Sequence, residues 1–233
     1  MKTDNAIAII PFVNLYGRGY LMRSVIFDMD GVIFDSERAV FGLWKELSIK
    51  YGFPDIDEVY IRTIGVNSNS TRKIFFDHYG PDFPFDEYLK EESQMYHSRY
   101  DDGRLPLKPY VGEILRYLKD KGYKIAIASS TRTARVKSQI EAAGFIEYFD
   151  VIVGGDMVTK SKPDPEIFLK AAQLLDVDPE DTYIIEDSFN GIRAAHAGGF
   201  IPIMVPDMLP ADDEMRDKAS YIFDTLEGIK SIL

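Results

Sequence analysis

Residues 24–36 read Ser-Val-Ile-Phe-Asp-Met-Asp-Gly-Val-Ile-Phe-Asp-Ser. The first four, Ser24–Phe27, make a short apolar run of β type, and it stops on two aspartates, Asp28 and Asp30, with Gly31 behind them. Carboxylates at the C-terminal end of a buried strand stand where open parallel sheets bind their ligands. Other runs repeat the arrangement. Lys124–Ala128 ends on Ser129-Ser130-Thr131, Val151–Val153 precedes Lys162 in Ser-Lys-Pro-Asp-Pro, and Thr182–Ile185 ends on Glu186-Asp187-Ser188. Pro202–Val205 is a fifth candidate strand. Helical patterns fall between them: Tyr110–Lys121, opened by Pro109 and closed by Gly122; Thr133–Ala143, closed by Gly144; and Glu166–Leu175 after the Pro-Asp-Pro turn. The alternation predicts an α/β fold with a parallel sheet.

From about residue 38 to 105 the character changes. Helical segments follow one another without a strand: Ser36–Tyr51 ending at Gly52, then Asp57–Thr63, Ser70–His78 and Asp86–Tyr100. A helical block between the first and second strands is an insertion, so the expected division is a core of residues 23–37 and 106–233 with a helical unit at 38–105. The length of 233 residues suits one core domain plus an insertion. Residues 1–22 read as a poorly ordered leader. Their apolar part, Ala6–Val13, is short and contains Pro11, and no run reaches the roughly 18 residues a bilayer span needs.

Net charge is −11, from 38 acidic and 27 basic residues, a surface that repels nucleic acid and anionic lipid. An anionic substrate would therefore need a local reversal of field, such as a divalent cation and a placed lysine supply. There is no cysteine, which excludes disulfides and thiolate nucleophiles and suits a reducing cytoplasm. The histidines, His78, His97 and His196, are too far apart for a zinc motif and read as surface or packing residues.

The strand-end residues make chemical sense as a group. Carboxylates converging on one place repel unless a hard cation holds them, and Mg²⁺ prefers oxygen ligands and keeps some waters. A carboxylate can attack phosphorus to give an aspartyl phosphate. A second carboxyl two residues later can protonate the leaving oxygen and then deprotonate water. Hydroxyls and a lysine can hold the non-bridging oxygens. Ser188 is a good N-cap, which would turn the positive end of its helix toward the site.

Val25–Ser36, Ile125–Ser130, Ser161–Pro165 and Ile184–Gly191, in this order, resemble the four motifs of the haloacid dehalogenase-like superfamily, and the helical insertion resembles the cap of its β-phosphoglucomutase-like branch. The resemblance covers about Arg23 to the C-terminus. It implies a Rossmann-like core with an inserted all-helical cap and a Mg²⁺-dependent reaction. Matched position by position, Asp28 is the nucleophile and Asp30 the general acid/base; Ser129 and Lys162 bind the phosphoryl group, with Ser130 beside them. Asp187 ligates the metal with Asp28 and the Asp30 backbone carbonyl, and Glu186 stands at a position that ligates it in some members. An aspartate at position 30 favours phosphate esters over dehalogenation.

Two departures bear on the reaction. Sugar phosphomutases of the branch carry a histidine where this chain has Val40, and an arginine shortly after a Gly-Val pair; here Gly65-Val66 is followed by Asn67-Ser68, with Arg72 further on. The residue expected to grip a second phosphate is missing, so hydrolysis of a small phosphorylated metabolite is the leading expectation, by a monomer or small homo-oligomer. A sugar phosphomutase of the β-phosphoglucomutase kind is the alternative, and a non-catalytic regulatory binding protein is a third. Asn67, Arg72 and Lys73 are the candidate substrate contacts in the cap. The Phe and Tyr residues there recur at helical spacing and read as core.

Overall fold

A computed structural model describes residues 23–233 apart from 54, 67 and 102. The expected leader, 1–22, and the candidate contact Asn67 lie outside the described residues. Six strands form one parallel sheet: β1 (Ser24–Phe27), β2 (Lys124–Ser129), β3 (Val151–Gly154), β4 (Thr182–Glu186), β5 (Ile201–Met204) and β6 (Tyr221–Ile222), in the order β3-β2-β1-β4-β5-β6. β1 lies at the centre, with Ile26 level with Ala126 on one side and Ile184 on the other. The strand order reverses at β1, so the crevice beyond its C-terminal end is the switch point at which such sheets take ligands.

Burial on both faces explains the near-continuous apolar strands. Val25 and Phe27 point into a cluster completed by α5 (Val111–Asp120) and α6 (Thr133–Ala142). Ile26 points the other way, against α7 (Glu166–Leu175) and α8 (Phe189–Ala197). The two-residue β6 was not among the expected strands. It is an edge strand, partly exposed, and too short to carry a periodic signal. The remaining helix of this layer, α9 (Asp213–Lys218), starts on Asp212, whose carboxylate accepts from the Met215 amide.

Between β1 and β2 come α1 (Ser36–Tyr51), α2 (Ile56–Ile61), α3 (Ser68–Tyr79) and α4 (Phe85–Tyr100). They form the inserted helical cap. The apolar spacing expected of its aromatics produces a cluster of its own, with Trp44, Leu47, Val59, Tyr60, Phe75, Phe83, Phe85 and Tyr88 buried together. Trp44 meets Tyr60, Phe75 and Tyr88 edge-on, the geometry that aromatic quadrupoles favour. The two chain crossings between core and cap are joined: the Asp35 amide donates to the Pro106 carbonyl (2.8 Å) and the Lys108 amide to the Ile33 carbonyl (2.9 Å).

Candidate active site

Strand ends β1, β2 and β4 meet over a cavity of about 380 Å³ lined by Asp28, Asp30, Ser130, Lys162, Glu186 and Asp187 from the core, by Glu37 at the start of α1, and by Ile64, Gly65 and Val66 from the cap. Asp28 is the first residue beyond β1, and its amide donates to the Ile185 carbonyl, which fixes where its side chain begins. The Lys162 ammonium sits 2.5 Å from Asp28 Oδ1, 2.7 Å from Glu186 Oε1 and 3.3 Å from the Ala128 carbonyl. Its stem crosses the ring of Phe168, the Nζ standing 4.7 Å from the centroid. Lys162 and Asp28 are 8% and 9% exposed in their side chains and Glu186 is 1% exposed, so this triad is a buried one.

The charges do not balance within it. Burial opposes the Lys162 charge, but Asp28 and Glu186 outweigh that and raise its pKa. Desolvation pushes Asp28 the other way for an acid, up to about 7, against the pull of Lys162 and with Glu186 and Asp30 adding repulsion. Asp187 is likewise raised well above the usual carboxylate range by desolvation, then by Glu186 and Asp28. One lysine serves several carboxylates. A cation placed among them would offset their mutual repulsion and favour the ionised carboxylates.

Two glycines make room for these acids. Gly31 has φ +79°, and a Cβ on it would fall 2.2 Å from Asp187 Oδ2. On Gly191 a Cβ would fall 1.8 Å from the Glu186 carboxyl carbon. Each carboxylate therefore lies against bare backbone. The donor chemistry fits Mg²⁺: Asp28 and Asp187 both line the cavity and offer the carboxylate oxygens that a hard cation prefers. Among the described residues no three His, Cys, Asp or Glu side chains are spaced to enclose an ion by themselves. Glu186 is committed on both oxygens, Oε1 to Lys162 and Oε2 to the Asp187 and Ser188 amides and the Ser188 hydroxyl.

Asp30 faces the other flank, where the Thr131 hydroxyl donates to its Oδ2 at 3.0 Å. Ser130 is exposed to the cavity, whereas Ser129 is fully buried, its hydroxyl accepting from the Thr131 amide at 3.1 Å. Ser188 caps α8 as expected, accepting from the Gly191 amide.

The cap candidates fare differently. Arg72 is not brought to the cavity: its guanidinium pairs with Asp86 on α4 and lies over Phe85, 4.7 Å from the ring centre. Lys73 pairs with Asp77 one turn along its own helix. The nearest carboxylate and ring thus engage Arg72 away from the cavity lining. Val40 packs against the cap cluster, and Ser68 is exposed at the start of α3.

Sequence reasoning passed over Glu37, which lines the cavity and accepts from the Tyr60 hydroxyl at 2.9 Å. Its pKa is raised, mainly by burial. Sequence assigns no role to Asn190, although it lies within the matched Ile184–Gly191, nor to the loop after β5.

Comparison with known proteins agrees with this geometry. The family model described as haloacid dehalogenase-like hydrolase matches residues 25–205. A phosphorylated carbohydrates phosphatase of Thermotoga maritima is 34% identical over 181 residues, 76% of this chain and 82% of its own length. A β-phosphoglucomutase of Bacillus subtilis is 31% identical over 216 residues, 88% of this chain and 94% of its own. Among solved structures, a Thermotoga maritima protein provisionally named a β-phosphoglucomutase superposes with a TM-score of 0.72 at 30% identity, covering 91% of this chain and all of that one. The chain belongs to the haloacid dehalogenase-like hydrolase family. Within it, the chain is an enzyme of the phosphatase type.

Proposed function

We propose that the protein is a Mg²⁺-dependent phosphatase of small phosphorylated metabolites, sugar phosphates or similar polyol esters, working in a reducing cytoplasm. The observation that carries this reading is the buried triad of Asp28, Lys162 and Glu186 with Asp30 on its open flank. An Asp28 oxygen attacks phosphorus and the ester P–O bond breaks, leaving the phosphoryl group on Asp28. Asp30 gives its proton to the departing oxygen, then takes one from the water that attacks the aspartyl phosphate, releasing phosphate and freeing Asp28. Lys162 and the hydroxyls of Ser129 and Ser130 hold the non-bridging oxygens. Asp28, Asp187 and the Asp30 carbonyl would hold Mg²⁺, with Glu186 joining only through the Oε1 that Lys162 occupies here. When bound, the cation keeps Asp28 ionised and offsets charge on the transferring group.

Val40 and Ser68 favour hydrolysis over sugar isomerisation. Neither brings a positive charge to a second phosphate, and Arg72 is engaged with Asp86. The division proposed for the chain keeps the core at 23–37 and 106–233 and the cap at 38–105. Incubation with β-glucose 1-phosphate, Mg²⁺ and a bisphosphate activator tests the reading. Free phosphate is expected as the main product; glucose 6-phosphate in its place would make the protein a mutase. An absence of turnover across a panel of phosphate esters would leave neither.

A further inference from the structure

The loop after β5 carries no motif and no catalytic group, yet it touches the parts that decide where the cap sits. It runs Pro206-Asp207-Met208-Leu209-Pro210, with a proline restricting the backbone at each end. The Asp207 side chain is 1% exposed, and its Oδ1 accepts from the Lys108 ammonium at 2.6 Å and lies 3.3 Å from the Arg38 guanidinium. Lys108 belongs to the second crossing between core and cap, and Arg38 to the first turn of α1. Both also face Asp35 Oδ1 at 3.7 Å, in the first crossing. One buried carboxylate therefore binds a core loop to both crossings.

The next residue faces the other way. Met208 packs against the aromatic cluster of the cap, and together with Leu209 it lines the cavity over Asp28. A polar contact stands across the same cavity, where the Asn190 side-chain amide donates to the Gly65 carbonyl at 3.3 Å. Two crossings alone form a hinge about which a cap can rotate. A third contact from the core removes that freedom, and an apolar one can slip and re-form as ligands exchange.

We propose that loop 206–210 seats the cap, with Met208 as the positioning residue that holds the helical insertion over the catalytic carboxylates and Asp207 as its anchor on the crossings. This goes beyond the hydrolytic reading, and two of its readouts need no turnover. Trp44, the chain's single tryptophan, lies buried in the cluster that Met208 packs against, so its exposure should follow the seating. In the full-length protein, Met208→Ala should make Trp44 more quenchable by acrylamide. It should also speed tryptic cleavage of the folded chain at Arg104 by about tenfold, as the open form becomes more populated. Met208→Leu, which restores an apolar side chain of similar volume, should return both to within about twofold of the parent. With p-nitrophenyl phosphate, Met208→Ala should raise KM while kcat changes little; a merely structural role would lower the active fraction, and so kcat, at constant KM. Quenching and cleavage unchanged in Met208→Ala, or equally altered in Met208→Leu, would overturn the proposal, as would a loss confined to kcat. If Met208→Ala gives no folded protein, Asp207→Asn carries the same readouts, with the same direction expected and the same results against it.

Discussion

On the core side of the cavity, Asp28, Lys162 and Glu186 come from three distant chain segments and stand within 2.7 Å of their partners. On the cap side, Ile64, Gly65 and Val66 come from one loop and offer apolar side chains and a backbone carbonyl that accepts from Asn190. The core groups are buried, charged and interlocked, and removing Lys162 would leave two buried carboxylates uncompensated. The cap groups are local, and their cluster of aromatics holds the cap together whether or not a substrate is present. Chemistry should therefore fail steeply on core substitution, and selectivity should drift on cap substitution.

The steepest failure is expected at Asp28. Asp28→Asn removes the nucleophile while leaving Lys162 paired with Glu186, so turnover should fall by about 10⁴-fold or more with the fold retained. Initial rates and circular dichroism on the same preparation check this. Substantial residual activity would break the link between the buried triad and catalysis. Chelation comes next: excess EDTA should cut activity by at least about 10²-fold, and Mg²⁺ should restore it better than Ca²⁺, whose looser shell misplaces Asp28. Full activity in chelator would show that the acids around Lys162 manage without a cation.

Asp30→Asn should cost about 10²–10⁴-fold, the usual worth of a placed proton donor. The loss should shrink for leaving groups that need little protonation, such as p-nitrophenolate, and equal losses on good and poor leaving groups would remove Asp30 from that role. A smaller effect lies in stability. In metal-free protein the Asp28 pKa is raised from its ordinary 3.8 to about 7. Between those values the folded chain holds a proton that the unfolded chain has lost, so stability falls as pH rises through that window and stays low above it. Asp28→Asn lacks this penalty. In EDTA it should melt above the parent at pH 8, with the gap closing toward pH 5 and shrinking when Mg²⁺ is added. A gap that widens on acidification would contradict the burial of an ionisable Asp28.

The same contrast explains what could be read from the sequence. The strands were legible because both faces of the sheet are covered and the runs are apolar throughout, and the candidate acids stood out because Asp28, Asp30, Glu186 and Asp187 follow closely on such runs; Lys162 does not, and stood out only within Ser161–Pro165. Ser188 could be read as a cap because its helix begins at once. The two-residue β6 had no period to detect. Glu37, Asn190 and Met208 gave no signal because their roles depend on which surface of the cap meets which surface of the core, a relation set by tertiary packing alone. The surroundings of Arg72 were out of reach for a related reason. Its distance along the chain from Gly65-Val66 says nothing about the carboxylate and the ring that α4 brings beside it.

Arg72 supplies the gentlest test of the contrast between core and cap. Its guanidinium forks onto both oxygens of Asp86 and lies over Phe85, at 39% side-chain exposure against 74% for Asp86. Pairs that open to water gain little from their Coulomb attraction and are screened by salt. Arg72→Ala should therefore leave kcat and KM for phosphate monoesters within about twofold of the parent, because nothing that touches the reacting group has moved. What it should lose is a small amount of cap stability, visible as an earlier rise in Trp44 quenching on heating, and Arg72→Lys should recover only part of that because an ammonium cannot fork onto Asp86 or lie flat over Phe85. A selective rise in KM for bisphosphates over monophosphates in Arg72→Ala would reverse the assignment. It would mean that the guanidinium leaves Asp86 when substrate arrives and grips a second phosphate, and the case for hydrolysis over isomerisation would fall with it.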